Sequence, residues 1–317
     1  MRNAFAKQLT TIAELDPRIV FLSGDIGNRL FDNFKSKFPN RFYNCGVAEA
    51  NMNSVAAGLA LGGLKPITYT ITPFNTTRCL EQIKIDICYH NLPVIFVGVG
   101  GGLSYANLGS THHSCEDLAF LRSIPNLTIL CPADPFQVQV LLEKATKLSG
   151  PIYIRIGKKG EPVLTDKSEP VEIGKAQTIV QGNSVVILTI GNTLELAINV
   201  KENLQQKGIF PSLINIHTLK PFDASLVKKL TKNHSLVVTI EEHSLLGGLF
   251  STVAEQVALQ RIEGLTLLPF GTKDIFPQKT GSQEYLRGLF GLTCDNIINQ
   301  IEATWKETNV HRSSYSH

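Results

Sequence analysis

The feature that most constrains the fold of this chain is a repeated alternation of apolar runs with helical stretches along its 317 residues. The apolar runs are rich in β-branched residues, which is typical of parallel strands that are covered on both faces. The stretches between them place apolar residues at three- and four-residue spacing, which predicts helices. In the first half, we predict strands at 19–24, 65–71, 93–100, 127–133 and 151–157.

A polar segment interrupts this alternation and divides the chain into two parts. Residues 158–179 contain two prolines and predict a linker, which we place at 161–182. The alternation then resumes, with predicted strands at 184–191, 211–216, 235–242 and 266–271. The sequence therefore predicts an α/β fold of two domains, each a mainly parallel sheet flanked by helices. The predicted domains are 1–160 and 183–307, followed by a disordered tail at 308–317.

Charge, hydropathy and cysteine spacing exclude several classes of protein. The net charge of +3 is too small to indicate a nucleic-acid partner. No apolar run reaches the length of a membrane span, and the N-terminus does not resemble a signal peptide, so we expect no membrane association. The six cysteines form no CxxC pair, which predicts reduced thiols in a cytoplasmic protein and no metal site on this chain.

A single carboxylate, Glu49, lies near the start of the small and apolar stretch YNCGVAEANMNSVAAGLALGG (43–63). An acid in the first turn of a helix is favoured by the helix dipole and needs no function. A buried lone acid must nevertheless find a hydrogen-bond partner, and no flanking residue is an obvious one. A bound ligand is therefore the alternative to a helix-start role for Glu49.

Other segments carry polar groups without forming a self-contained active site. The sequence lacks the glycine motifs of dinucleotide and phosphate loops and the GxSxG elbow. The glycine-rich segment 98–110 is either a flexible turn or a close approach to a ligand. In GSTHHSCEDL (109–118), one histidine is suited to proton transfer, whereas Ser114 capping a helix is the structural alternative. For EEHSLLGGL (241–249), we expect a structural or interface role.

These motifs together resemble the C-terminal half of transketolase over about residues 1–305. GVAEANMNSVAAGLALGG is similar to that family's GIREHAMGAIANGIAL-G and to GIAEQ…AAGLA-G of deoxyxylulose-phosphate synthase. GSTHHSCEDLAFLRSIPNLTILCPAD is similar to G-TH-P-E-LA-LRSIPN–V-RPAD. TIGNTLELAI, INIHTLKPFD and TIEEHSLLGGLFSTVAE follow in the family's order. The resemblance implies a pyrimidine-binding domain followed by a transketolase C-terminal domain.

The resemblance also implies thiamine diphosphate as the cofactor and a ligand for Glu49. In this family, the acid at that position hydrogen-bonds the pyrimidine nitrogen N1′ and favours the imino tautomer, which takes the proton from the thiazolium carbon. Asp25 matches an acid near the cofactor. Phe74 is the nearest match to the aromatic residue that stacks on the pyrimidine ring.

Five residues match substrate-binding positions of the family. His112 matches the histidine that contacts the reacting oxygens of the donor. Arg2 and Arg155 match arginines that bind the substrate phosphate, with which a guanidinium pairs well. Arg78 matches an arginine in the substrate pocket of deoxyxylulose-phosphate synthase. Arg29 stands about where transketolase has a serine of the phosphate site.

Two positions depart from the family pattern. Leu108 stands where transketolase has an aspartate that reads the configuration of a sugar hydroxyl, and Gly100 lies near the place of a second substrate histidine. A hydroxyl that meets leucine is left unpaired, which disfavours it. We therefore expect a modified or deoxy sugar as substrate, in place of the ordinary pentose phosphates.

The chain lacks the GDG…N motif with which the family's N-terminal domain holds the cofactor diphosphate through Mg²⁺. The resemblance therefore implies the second subunit of a split transketolase, which transfers a ketol unit between phosphorylated sugars. The partner chain would carry the diphosphate domain and the Mg²⁺ ligands, in an α₂β₂ assembly. The alternatives are the β subunit of a 2-oxo-acid dehydrogenase, a deoxyxylulose-phosphate-synthase-like activity and a non-catalytic subunit.

Overall fold

The computed structural model describes residues 1–27, 29–158, 160–231 and 234–314. The strands, in chain order, are β1 (Ile19–Ser23), β2 (Phe42–Asn44), β3 (Lys65–Ile71), β4 (Ile95–Val99), β5 (Thr128–Leu130), β6 (Ile152–Ile156), β7 (Gln177–Val180), β8 (Val186–Thr189), β9 (Ser212–Asn215), β10 (Thr218–Lys220), β11 (Leu236–Ser244) and β12 (Thr266–Thr272). The α-helices are α1 (Arg2–Leu15), α2 (Asp32–Lys37), α3 (Glu49–Leu61), α4 (Leu80–Gln82), α5 (Asp117–Arg122), α6 (Pro135–Ala145), α7 (Leu194–Gln206), α8 (Ala224–Thr231), α9 (Leu249–Leu259), α10 (Gln283–Leu289) and α11 (Cys294–Ser314). A π-helical segment, Ile83–Tyr89, extends α4.

The first sheet has seven strands in the order β10-β5-β6-β4-β3-β1-β2. Every pair from β5 to β2 is parallel, and β10 is antiparallel to β5. All residues of β1, β4 and β6 are buried, as expected of parallel strands with helices on both faces. The second sheet has the order β12-β11-β8-β9-β7 and is parallel except for the β7–β9 pair. The predicted fold class is confirmed.

Short edge strands are where the structure differs from the sequence prediction. Strand β7 lies inside the segment 161–182 that we predicted as a linker. Strand β10 belongs to the second half of the chain but pairs with β5 of the first sheet. Strands of three or four residues carry too little periodicity to be recognised in a sequence. The two halves are therefore joined by a shared sheet as well as by the connecting segment.

The C-terminal segment also differs from its prediction. Helix α11 continues to Ser314, so residues 308–314 of the predicted tail are helical, and residues 315–317 lie outside the described residues. The polar segment after 307 contains no Pro or Gly to end a helix. Among the helices of the described residues, none has both the length and the apolar character needed to cross a bilayer.

The sheet order brings several loops to one edge. Strands β6, β4, β3 and β1 are neighbours and run in parallel, so their carboxyl ends meet there. The loops that follow begin at Gly157, Gly100, Thr72 and Gly24. Helix α3 begins beside them, after β2. Ligands of open α/β sheets bind outside the carboxyl ends of the strands, so we expect a ligand site at this edge.

Candidate functional site

Glu49 is the buried acid at this edge. Its side chain is only 2% exposed, although it is in the first turn of α3. A Cβ atom placed on Gly24 would lie 3.2 Å from the Cγ atom of Glu49, so β1 ends directly against the acid. Beneath it, the buried amide of Asn53 donates to the Glu49 backbone carbonyl and to Asn75 Oδ1, both at 3.0 Å. The backbone of Glu49 is therefore tied into a network of buried amides.

Arg78 is the hydrogen-bond partner that the sequence flanking Glu49 did not reveal. Its Nη1 atom donates to Glu49 Oε2 at 2.7 Å. The Arg78 side chain is 43% exposed, so the ion pair joins a buried acid to a base that reaches solvent. The same guanidinium lies 4.2 Å from the centroid of the Phe74 ring. Arg78 thus connects two other predicted site residues, Glu49 and Phe74.

His112 continues this series of contacts by packing against Phe74. The two rings meet edge to face with centroids 5.1 Å apart, and Thr111 Oγ1 lies 2.9 Å from His112 Nδ1. The Tyr105 ring is 6.3 Å from His112, and Lys158 Nζ is 4.5 Å from the Tyr105 centroid. Sequence reasoning missed Tyr105 and Lys158. The aromatic residue within the glycine-rich segment was the clue that could have drawn attention to Tyr105.

The glycine-rich segment is a tightly packed loop. Gly100 has φ of +81°, and a Cβ atom there would overlap the Tyr105 ring. Gly102 has φ of +66° and forms an antiparallel bridge with Ser114, with N–O distances of 2.8 and 2.9 Å. Ser114 is therefore paired with the loop, and the prediction that it caps a helix is wrong, because α5 begins at Asp117 after Glu116. The loop sets the position of Tyr105.

Arg155 lies beneath this loop and is not brought together with Glu49. It is 5% exposed, and a Cβ atom on Gly101 would lie 2.7 Å from its Nε atom. Its Nε donates to Asp117 Oδ2 at 2.9 Å, and its Nη2 donates to the carbonyls of Ser114 and Glu242 at 2.9 and 3.1 Å. The prediction of a phosphate-binding role does not fit this placement, because these donors already have protein acceptors.

The segment 241–249 joins the two sheets through buried polar groups. Glu241 accepts from the Leu249 and Phe250 amides at the start of α9, and burial raises the pKa of its carboxyl to about 7. Glu242 accepts from the Leu103 amide of the glycine-rich loop at 2.7 Å and from Arg287 of α10.

His243 completes this connection between the domains. Its Nε2 accepts from the Leu118 amide at 3.2 Å, and its Nδ1 donates to the Ser244 carbonyl at 2.7 Å. Burial lowers the pKa of His243 to about 4, in agreement with the neutral ring that these bonds require. The predicted structural role of segment 241–249 is confirmed.

Arg2 and Arg29 lie in a second, basic part of the edge. They line a cleft of about 500 Å³ together with Lys7, and none of its lining residues is acidic. Arg2 Nε is buried without a hydrogen-bond partner among the described residues. Arg2 also lines a neighbouring recess with Lys158 and with Glu161, which pairs with the N-terminal ammonium, and Lys158 Nζ lies 4.5 Å from the Tyr105 centroid. The arrangement suits an anionic group at some distance from Glu49.

The remaining predicted residues lie around the rim. Asp25 is exposed, has φ of 57° and accepts from Asn44 Nδ2 at 2.9 Å. Leu108 is 46% exposed on the loop that precedes His112. His113 turns inward, with Nε2 3.3 Å from the Ala106 carbonyl, so the adjacent histidines diverge. In the part of the chain that the structure describes, no group of three or more His, Cys, Asp or Glu side chains is arranged to hold a metal ion.

Comparison with known proteins places both halves in one family. Residues 1–161 match the family model described as transketolase, pyrimidine binding domain, and residues 174–297 match transketolase, C-terminal domain. The 1-deoxy-D-xylulose-5-phosphate synthase of Dictyoglomus thermophilum is 34% identical over 312 residues, which are 97% of this chain and 50% of that protein. The chain thus spans about half the length of the curated synthases it matches.

Two further relatives match along nearly their whole length. The 6-deoxy-6-sulfo-D-fructose transketolase subunit of a Clostridium species is 33% identical over 98% of this chain and 95% of its own. A solved structure described as a split gene transketolase, inactive beta4 tetramer, superposes with a TM-score of 0.88 at 32% identity, covering 96% of this chain and 98% of that one. The chain therefore belongs to the transketolase family, of which it contains the pyrimidine-binding and C-terminal domains.

Proposed function

We propose that this chain is the pyrimidine-binding subunit of a thiamine-diphosphate-dependent split transketolase, which transfers a two-carbon ketol unit between phosphorylated sugars. The observation that carries the proposal is the buried Glu49 carboxylate at the carboxyl edge of the sheet, which Arg78 connects to the rings of Phe74 and His112. A buried acid near an aromatic ring and an imidazole suits proton handling at a heteroaromatic ring.

The residues at this edge fit the pyrimidine ring of the cofactor. A buried carboxylate offers a strong hydrogen bond to a ring nitrogen, and Phe74 offers a face for stacking. Gly24 leaves room for close approach, because a side chain there would meet Glu49. Asp25 lies on the turn that follows β1. The bound cofactor supplies a nucleophilic carbon for addition to carbonyl groups, and Glu49 sets the protonation state of its pyrimidine ring.

The substrate is placed between His112 and the basic cleft. His112 is half-buried between Phe74 and Tyr105, where its imidazole can hydrogen-bond and exchange protons with substrate oxygens. Arg2, Arg29 and Lys158 would bind the phosphate, because a dianion is attracted by several nearby cations. Arg78 is the remaining candidate for a substrate contact. Arg155 acts at the domain interface as a positioning residue.

A partner chain completes the enzyme in this proposal. It would carry the diphosphate-binding domain and the Mg²⁺ ligands and would assemble with this chain as α₂β₂ in the cytoplasm. Two relatives support a separate subunit, since they are named as a transketolase subunit and a split transketolase and have nearly the same length as this chain. A deoxyxylulose-phosphate-synthase-like reaction is the second candidate, because synthases are 34% identical to this chain.

The donor distinguishes these functions. Co-purified with its partner chain, this protein should convert a modified or deoxy ketose phosphate into an aldose phosphate shorter by two carbons when a second aldose phosphate is the acceptor, as followed by chromatography of both products. Carbon dioxide released from pyruvate would instead favour the synthase-like or the 2-oxo-acid dehydrogenase function. Turnover of xylulose 5-phosphate and ribose 5-phosphate at ordinary transketolase rates would contradict the preference for a modified or deoxy sugar.

Leu108 provides a test of that preference. We expect Leu108→Asp to raise the ratio of kcat/KM for a hydroxylated ketose over its deoxy analogue by about 10–100-fold, because a hydrogen bond to a charged acceptor contributes about 1.5–3 kcal/mol. Leu148→Asp serves as the control, because Leu148 is also an exposed leucine but lies beyond α6 at the opposite edge of the sheet. An unchanged ratio in Leu108→Asp would remove Leu108 from the specificity site.

The basic cleft makes a separate prediction about the phosphate. Arg2→Met and Lys158→Met should each raise the KM for a phosphorylated sugar about tenfold, because each removes a cation from the anion site. The kinetics with the unphosphorylated sugar should stay as in the native enzyme. Lys147→Met removes a surface lysine that pairs with Glu143 and should change neither value. Equal effects on both sugars would argue against phosphate binding in this cleft.

A further inference from the structure

We infer that Arg78 covers Glu49 in the chain without cofactor and becomes available to the substrate only after the cofactor has bound. The inference rests on the proposed function, because it concerns the pyrimidine contacts of the same site. It gives Arg78 two successive partners, the buried carboxylate and then a substrate anion. Nothing in the sequence near Glu49 or Arg78 indicates such an exchange.

The Arg78 guanidinium makes both contacts that the proposed function assigns to the pyrimidine ring. It donates to Glu49 Oε2 at 2.7 Å, and it stacks 4.2 Å from the centroid of Phe74. A guanidinium is planar and carries hydrogen-bond donors at its edge, so it can stack on an aromatic face while it pairs with a carboxylate. A ring that hydrogen-bonds Glu49 and stacks on Phe74 therefore cannot bind while Arg78 stays in this position.

Burial decides which of the two partners moves. Glu49 is 2% exposed and is packed against the end of β1, whereas the Arg78 side chain is 43% exposed. An exposed arginine regains its hydration when it leaves an ion pair, and the ring that replaces it supplies the hydrogen bond that the buried Glu49 needs. Removing the acid from its support would instead disturb the packing around Gly24. Arg78 is thus the partner that can leave at low cost, in contrast to the buried Arg155.

The position of Phe74 shows where the released guanidinium can act. The Phe74 ring contacts both the Arg78 guanidinium and the His112 ring, at 4.2 and 5.1 Å from its centroid. An arginine that leaves Glu49 remains near the Phe74 and His112 rings, because Arg78 lies only four residues from Phe74 in the chain. Its charge is then available to an anionic group of the substrate beside His112. The substrate site is completed in this way only when Glu49 is occupied by another ligand.

The test uses the enzyme assembled with its partner chain and two measurements that move in opposite directions. For Arg78→Ala, we expect thiamine diphosphate with Mg²⁺ to bind about tenfold more tightly in a calorimetric titration, which corresponds to about 1.4 kcal/mol. We also expect kcat/KM for the phosphorylated sugar to fall about tenfold. A variant that merely loosened the fold would weaken both cofactor binding and turnover. Arg78→Lys, which keeps the charge without the planar guanidinium, should show a smaller gain in cofactor affinity.

Arg41→Ala provides the matched control. Arg41 also stacks on a phenylalanine, Phe38, at 3.9 Å, and it donates to the carbonyls of Ala13 and Asp16 away from the site. The cofactor affinity of the Arg41→Ala enzyme should equal that of the native enzyme. If Arg78→Ala binds the cofactor as tightly as the native enzyme or more weakly, the inference is overturned. Arg78 would then not compete with the cofactor for Glu49 and Phe74. A different result would contradict the proposed function: Glu49→Gln would bind the cofactor and turn over substrate like the native enzyme.

Discussion

Replacing Glu49 by glutamine in the assembled enzyme should lower kcat about 10²–10⁴-fold, the range typical of lost proton transfer by a positioned side chain. Glutamine keeps the size of the side chain and can still hydrogen-bond, but it cannot take up or release a proton. Its amide would also remain buried at the head of α3, where Glu49 is 2% exposed. Steady-state turnover of the phosphorylated sugar, measured at saturating cofactor, reports this loss.

Glu195→Gln separates a catalytic role of Glu49 from the helix-start role that the sequence left open. Glu195 occupies the first turn of α7, a helix of 13 residues like α3, but its side chain is exposed. Both substitutions remove a favourable interaction with a helix dipole, which contributes about 0.3–1 kcal/mol to stability. Turnover of Glu195→Gln should equal that of the native enzyme. Native turnover in Glu49→Gln as well would identify the chain as a non-catalytic subunit.

Asp117→Asn should lower the free energy of unfolding by about 3–5 kcal/mol, because it leaves a buried guanidinium without its counter-charge. Asp117 is fully buried, accepts from Arg155 Nε at 2.9 Å and from the Tyr153 hydroxyl at 2.7 Å. The pair also supports the glycine-rich loop, since Arg155 packs beneath Gly101. Urea unfolding measures this loss of stability. The slope of the unfolding free energy against urea concentration is held common to the native and variant proteins.

Two comparisons make the expected effect of Asp117→Asn specific. Glu143→Gln breaks an exposed pair with Lys147 one turn away in sequence and should change stability by less than about 0.5 kcal/mol. The double variant Asp117→Leu/Arg155→Met should be more stable than Asp117→Asn, because it removes both charges together. A loss in Asp117→Asn as small as that of the surface pair would show that the domain interface does not depend on this ion pair.

The fold was predictable where the chain forms long, uniformly apolar strands. Strands β1, β4 and β6 are buried along their whole length and fall within the predicted segments 19–24, 93–100 and 151–157. Strands β7 and β10 were missed because each is short and lies at a sheet edge. Their pairing depends on contacts with distant parts of the chain, and a local pattern does not contain that information.

The site was predictable in its residue types but not in its pairings. Glu49, Phe74, Arg78 and His112 were all expected, and the structure brings them into one continuous series of contacts. The partner of Glu49 is 29 residues away in sequence, which no flanking motif could indicate. Arg155 shows the opposite case. The match of Arg155 to a phosphate-binding position gave no information on Asp117. The Arg155 guanidinium pairs with Asp117 in the interface between the two sheets.

Cofactor binding by the separated and assembled chains tests most directly whether this protein supplies half of a shared site. Thiamine diphosphate with Mg²⁺ should be titrated calorimetrically into this chain alone, into the partner chain alone and into their complex. We expect tight binding by the complex, far weaker binding by either chain alone, and a loss of affinity in the complex that carries Glu49→Gln. Equal affinity of the partner chain with and without this protein would contradict this expectation.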